Sequence, residues 1–157
     1  MPAPTNMTCT IRPARPGDAG DISTLIVQAL RQTNSRDYAP DIIARVEGGF
    51  GPDAIGSLME GRLMLTAELA GRIVGTASLD QATVRTVFVA PDVQGLGVGR
   101  SLMSAVMAAA RGRGIDLLSV RSTVTAEAFY ARLGFKAVRD AWHGDERTII
   151  MECKLGA

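Results

Sequence analysis

Residues 84–103 read VRTVFVAPDVQGLGVGRSLM. Val84, Val87, Phe88 and Val89 form an apolar, β-branched run that stops at Ala90-Pro91, as a strand does where proline removes a ladder donor. Asp92-Val93-Gln94 makes a polar turn, and Gly95, Gly97 and Gly99 then alternate with Leu96 and Val98. Arg100 opens a segment with helical spacing, with Val98, Leu102 and Val106 on one row and Met103 and Met107 beside it. Strand, glycine loop and helix N-terminus in this order turn backbone N–H groups toward an anion. The stretch reads as a pyrophosphate cradle.

Two familiar cradles do not fit. A P-loop requires GxxxxGK[ST], and no Lys-Ser or Lys-Thr follows any glycine here. A dinucleotide fingerprint requires GxGxxG directly after its strand. Gly95 and Gly97 supply the first pair, but Arg100 stands in the last glycine's place and residues 91–94 lengthen the turn. The acid that should close a second strand is also misplaced, because Asp116 begins one instead.

Working outward, 157 residues with 46% hydrophobic and 21% charged residues suit one globular domain. A formal net charge of +1 gives no support for nucleic acid or an anionic membrane as a partner. No apolar run approaches the ~18 residues of a membrane span. Residues 1–7 contain Pro2 and Pro4 and lack a basic and apolar leader pattern, so they are expected to be a flexible extension of a cytoplasmic protein. Cys9 and Cys153 fall in expected strands and are read as buried, reduced thiols. One histidine and no CxxC argue against a metal site.

Residues 8–157 read as a single mixed α/β domain. A first strand spans residues 8–13, and Ile22, Leu25, Ile26, Ala29 and Leu30 then mark an amphipathic helix. Ile42, Ile43 and Val46 begin a second helix, and Ile55, Leu58 and Met59 a third. Residues 62–69 and 72–79 are strands joined by the tight-turn signal Ala70-Gly71. Residues 116–121 form another strand. Thr125 is expected to cap the next helix, with Ala126, Phe129 and Leu133 as its buried face and Gly134 as its stop. Strands at 135–139 and 148–155 are expected to flank a polar loop at 140–146.

Gln94-Gly95-Leu96-Gly97-Val98-Gly99 fits the pattern Q/R-x-x-G-x-G/A, and residues 126–135, AEAFYARLGF, supply a second anchor of the form A-x-x-F/L-Y-x-x-x-G-F. In this order and spacing the pair resembles the GNAT superfamily of N-acetyltransferases over nearly the whole chain. The resemblance implies a mostly antiparallel seven-stranded sheet, splayed between strands 4 and 5 and flanked by helices. It also implies acetyl-coenzyme A as cosubstrate. The amides of Gly95, Leu96, Gly97, Val98, Gly99 and Arg100 would wrap the pyrophosphate, with Gln94 ordering the loop or donating to a phosphate. The pantetheine arm would bond to the backbone of Val87, Phe88 and Val89 like an added strand. Thr123 stands where the family often carries an asparagine near the pantetheine.

Acetyl transfer to an amine needs a neutral amine, stabilisation of an oxyanion, and a proton for the departing thiolate. Amines titrate near ~10.4 and thiols near ~8.5, so proton management matters at neutral pH. By resemblance, a backbone N–H of Phe88 or Val89 meets the oxyanion and Tyr130 protonates the sulfur. Many members carry an acid on the strand before the glycine loop, but residues 83–89 offer only Thr and Arg. Asp37, Glu47 and Asp80 read as solvated, and no base is assigned. The acceptor site is expected among residues 33–47 and 140–146, with Tyr38, Trp142 and His143 as candidates. The expected reaction is direct acetyl transfer to a primary amine of a small molecule. A protein lysine or N-terminus is the alternative acceptor, and a non-catalytic acyl-CoA sensor the alternative class. A homodimer is a family-level expectation.

Overall fold

A computed structural model describes residues 9–34 and 37–156. The expected extension at 1–7, together with residue 8, Ser35, Arg36 and the terminal Ala157, lies outside these. The strands are β1 (Thr10–Pro13), β2 (Leu63–Leu69), β3 (Arg72–Asp80), β4 (Thr83–Val89), β5 (Leu117–Thr123), β6 (Lys136–His143) and β7 (Glu146–Lys154). The helices are α1 (Ala19–Gln32), α2 (Pro40–Glu47), α3 (Pro52–Gly61), α4 (Val98–Gly112) and α5 (Glu127–Arg132). The strands form one sheet in the order β1-β2-β3-β4-β5-β7-β6, antiparallel except where β4 meets β5. The expected seven-stranded architecture is therefore present.

The β4–β5 junction is short. Only Thr83 pairs with Ser119 and Val84 with Val120, after which the strands part. Opposite β3, β4 carries one extra residue: Ser78 pairs with Arg85 and Thr76 with Phe88, which leaves two residues facing Ala77. Thr86 takes φ +56° within this bulge, a left-handed conformation rare for a β-branched residue. The insertion changes which side chains share a face. Val84 lies in the core under α4, whereas Phe88 packs into the cluster beneath α1, and Val87 and Val89 return to the α4 side.

Helices cover both faces because each presents one apolar stripe. Ile22, Leu25, Ile26, Ala29 and Leu30 of α1 are all buried, as their spacing predicts. Val98, Leu102, Met103 and Val106 of α4 are likewise buried, each such side chain contributing roughly 1.5–3 kcal/mol. The Ala70-Gly71 turn is formed, with both residues at positive φ.

Four expectations need correction. Helix α4 begins at Val98 rather than Arg100, with Gly97 as its N-cap. The expected polar loop at 140–146 is mostly ladder, because β6 and β7 pair out to His143 and Glu146. β6 is an edge strand with a largely exposed surface, so it lacks the apolar alternation that marks a strand. Cys9 precedes β1, and both cysteines are half-buried free thiols rather than core residues.

Candidate active site

The loop between β4 and α4 starts from a fixed point, because the Ala90 amide donates to the Val74 carbonyl at 2.8 Å. A single 3-10 turn, Pro91–Val93, follows. Gly95 and Gly97 then take φ +87° and +86°, which any Cβ would strain. Gly99 serves a different need. A Cβ there would lie 3.1 Å from the Phe129 ring, so this glycine lets α5 approach the start of α4. The amides of Gly95, Gly97, Val98, Gly99 and Arg100 have no backbone partner among the described residues. They stand at a helix N-terminus, where the dipole favours negative charge by roughly 0.3–1 kcal/mol. Gln94 donates to Thr33 Oγ1 at 3.2 Å, which ties the loop to the end of α1. Arg100 is exposed.

Every residue read from the sequence as cofactor-binding borders one cleft of about 690 Å³: Val87, Phe88, Val89, Gln94, Gly95, Leu96, Gly97, Val98, Gly99, Arg100 and Thr123. Tyr130 borders it as well. The cleft opens where β4 and β5 part, so the edge of β4 beyond Val84 has no strand beside it. The residues fit a long, thin ligand with a diphosphate. They offer bent-back amides for the charge and an unpaired strand edge for an amide-bearing arm.

A second cavity of about 420 Å³ lies on the other side of the splay. Its walls come from α1, α2, β4, β5 and the start of β7, and include Tyr38, Ile42, Ile43, Val46, Phe50 and Glu146. The two spaces share Asn34, Val87, Phe88, Thr123, Ala126 and Tyr130. A group held in one space can therefore meet a group held in the other at Tyr130.

The short helix α5 sets that side chain. The Thr123 hydroxyl accepts from the Ala126 amide at 3.1 Å, whereas Thr125 Oγ1 donates to Asp37 at 2.8 Å. Ala126 is the N-cap of α5 and no side chain caps the helix, so the expected Thr125 cap is not formed; Thr123 instead closes the turn that leads into it. At the other end the Phe135 amide donates to the Tyr130 carbonyl at 3.1 Å, with Gly134 at φ +102° as the expected stop. Tyr130, not Phe129, is the buried residue of α5, at 4% exposure. Its ring is held edge-on by Phe129 and Phe135, with centroids 5.1 and 5.7 Å away. Burial raises its pKa well above the usual phenol value. The group is a proton donor at neutral pH, not a phenolate.

Of the acceptor-side candidates, Tyr38 alone reaches a cavity wall. Its hydroxyl accepts from the Val124 amide at 2.7 Å and donates to the Arg147 carbonyl at 2.9 Å. Trp142 is 60% exposed, and neither it nor His143 borders either space. Asp37, Glu47 and Asp80 lie outside the walls as well, and Glu47 and Asp80 are engaged with arginines. Glu146, the one carboxylate among the described residues of the smaller cavity's wall, lies in the expected acceptor segment 140–146 without having been singled out, and Arg62, Arg85 and Arg121 on the same wall were missed. Among the described residues no three His, Cys, Asp or Glu side chains come together as a metal-ligand set.

The model of the acetyltransferase (GNAT) domain family matches residues 35–151. The chain belongs to this GNAT family. Solved structures agree with that placement. A GCN5-related N-acetyltransferase from Rhodopseudomonas palustris superposes with a TM-score of 0.88 at 27% identity, covering 94% of this chain and 96% of that one. The PaiA N-acetyltransferase of Thermoplasma acidophilum, solved in complex with coenzyme A, shares the fold at 17% identity, with a TM-score of 0.81 and coverage of 94% and 99%. Serotonin N-acetyltransferase 2, chloroplastic, from Oryza sativa subsp. japonica is 38% identical over 63 residues. That match covers 40% of this GNAT chain and 32% of the rice protein, so it spans about a third of that relative's length.

Proposed function

We propose that this GNAT protein transfers an acetyl group from acetyl-coenzyme A directly to a primary amine of a small molecule. The observation that carries the reading is the pair of spaces meeting at Tyr130. One is lined by the glycine cradle and the open edge of β4, and the other is a separate chamber of small-molecule size. Family membership supports acetyltransferase chemistry, and the coenzyme A held by the Thermoplasma PaiA N-acetyltransferase supports the cosubstrate.

When bound, acetyl-coenzyme A supplies an acyl thioester. The amides of Gly95, Gly97, Val98, Gly99 and Arg100 hold the diphosphate, while the Leu96 amide, expected from the sequence to join them, is spent on the Val93 carbonyl at 3.3 Å, and Gln94 fixes the loop through Thr33. The free edge of Val87, Phe88 and Val89 aligns the pantetheine arm, and a backbone N–H of Phe88 or Val89 faces developing negative charge. Thr123 lies at the junction and holds α5 in place through the Ala126 amide. Tyr130, kept protonated by burial, donates to the departing thiolate. Walls of Ile42, Ile43, Val46 and Phe50 exclude water from the amine's side.

A thiol-release assay with acetyl-coenzyme A against a panel of small primary amines tests the reading. Turnover on at least one amine, lost in Tyr130→Phe, is expected. Tight coenzyme A binding with no turnover on any amine or peptide overturns the enzyme reading in favour of an acyl-CoA sensor.

A further inference from the structure

The smaller cavity has an unusual charge balance for an amine site. Arg62, Arg85 and Arg121 border it, against the single carboxylate of Glu146. Glu146 is itself engaged by Arg45, at 3.5 Å. Behind the arginines, one Asp80 oxygen serves two of them, lying 3.2 Å from Arg85 Nε and 4.0 Å from Arg62 Nη2.

Their hydrogen bonding is incomplete. Arg62 Nη1 reaches Thr86 Oγ1 at 3.2 Å and Ser78 Oγ at 3.4 Å. Arg85 Nε is buried with no hydrogen bond, since its approach to Asp80 falls outside bonding geometry. Arg121 has no ion pair among the described residues, although it stands on β5 beside the β4 segment that carries Arg85. A buried guanidinium N–H whose carboxylate partner is out of line is incompletely satisfied, and a planar fork of donors matches a further carboxylate or phosphate.

Resting on the acetyl-transfer reading above, we infer that the acceptor amine also carries an acidic group, a carboxylate or a phosphate, which seats between Arg85 and Arg121. Across the bulge, Arg85 and Phe88 face Ser78 and Thr76, two rungs of β3 and roughly 7 Å apart, so the acid and the reacting amine sit at opposite ends of the acceptor. The substrate class is then amino acids and amino phosphates, not plain amines or polyamines.

Matched pairs test this: 5-aminopentanoate against pentylamine, lysine against cadaverine, and phosphoethanolamine against ethanolamine. In the acetyl-transfer assay the acid-bearing member of at least one pair is expected to show about tenfold higher kcat/KM. That preference should collapse in Arg121→Gln and Arg85→Gln, mainly through KM. Arg121 is exposed, so its variant is the safeguard should Arg85→Gln fold poorly. The first two pairs and the third distinguish carboxylate from phosphate. Equal or better turnover of the plain amines overturns the inference and leaves the acetyl-transfer reading intact. Calorimetry on the coenzyme A-loaded protein separates the remaining cases. Arg121-dependent binding of acid-bearing amines without turnover supports the anion seat and counts against acetyl transfer. No binding and no turnover of any acid-bearing amine overturns the seat.

Discussion

Tyr38 Oη lies 2.7 Å from the backbone nitrogen of Val124, a hydrogen bond that joins the α1–α2 connection to the end of β5 across 86 residues of chain. The same hydroxyl donates to the Arg147 carbonyl on β7. One side chain thus ties the wall of the smaller cavity to the loop that leads into α5. Tyr38→Phe leaves both backbone groups without this partner and is expected to cost about 1–3 kcal/mol in denaturant unfolding. KM for the amine should rise more than KM for acetyl-coenzyme A. Equal effects on the two constants would remove Tyr38 from the acceptor side.

Tyr130→Phe keeps the ring contacts with Phe129 and Phe135 and removes the proton donor. A fall in kcat of roughly 10²–10⁴-fold is expected, with coenzyme A affinity unchanged within about threefold. Stopped-flow single turnovers check whether chemistry has become the slow step. A kcat near the wild-type value would sink the assignment.

The same burial has a consequence for stability at high pH. The folded pKa of Tyr130 is raised above the unfolded value near ~10, and burial raises that of Tyr38 too. Below pH ~10 both phenols are neutral in either state and their contribution is fully present. Above it the unfolded chain releases protons that the folded chain retains, so stability falls as pH rises toward the folded values. Urea midpoints between pH 8 and 11 should therefore drop more steeply in wild type than in Tyr130→Phe. Parallel curves would contradict the buried-phenol account.

Thr123→Val removes the hydroxyl that accepts from the Ala126 amide and should cost about 0.5–2 kcal/mol. Thr125→Val breaks only an exposed bond to Asp37 and should cost little. Thermal unfolding of the two variants side by side decides which threonine holds the turn that leads into α5.

Gly97→Ala places a Cβ on a backbone at φ +86°, a strain of about 1–2 kcal/mol that the loop relieves by leaving its cradle conformation. Coenzyme A should bind about five- to thirtyfold more weakly, measured by calorimetry. An unchanged Kd would show that the loop is not the diphosphate site.

Much of this was readable in the residues themselves. The stripe of α1, the row Val98-Leu102-Val106 and the Ala70-Gly71 turn follow from spacing and turn chemistry, and they fix element order. The two strands of the β6–β7 hairpin were readable but not their reach through residues 140–146, because an exposed edge strand is held by its ladder and carries no apolar alternation. The faces of α5 were exchanged because six residues give too few turns to set a helical phase. All of the cofactor-side residues do border one cleft, since a local motif placed them there. The acceptor side depends on chain segments far apart, and Arg62, Arg85, Arg121 and Glu146 converge through topology alone.

The bulge at Thr86 acts as a frame shift within the sheet. Upstream of it even-numbered residues of β4 face α4, and downstream odd-numbered ones do. Deleting Thr86 would exchange the neighbours of Val87, Phe88 and Val89 without altering any of those side chains. It would also turn the strand edge that borders the cleft by one residue. Variation in the length of this chain is therefore expected in the turns before β4 and after β6, and single-residue gain or loss within residues 83–89 should be as damaging as the loss of a core side chain.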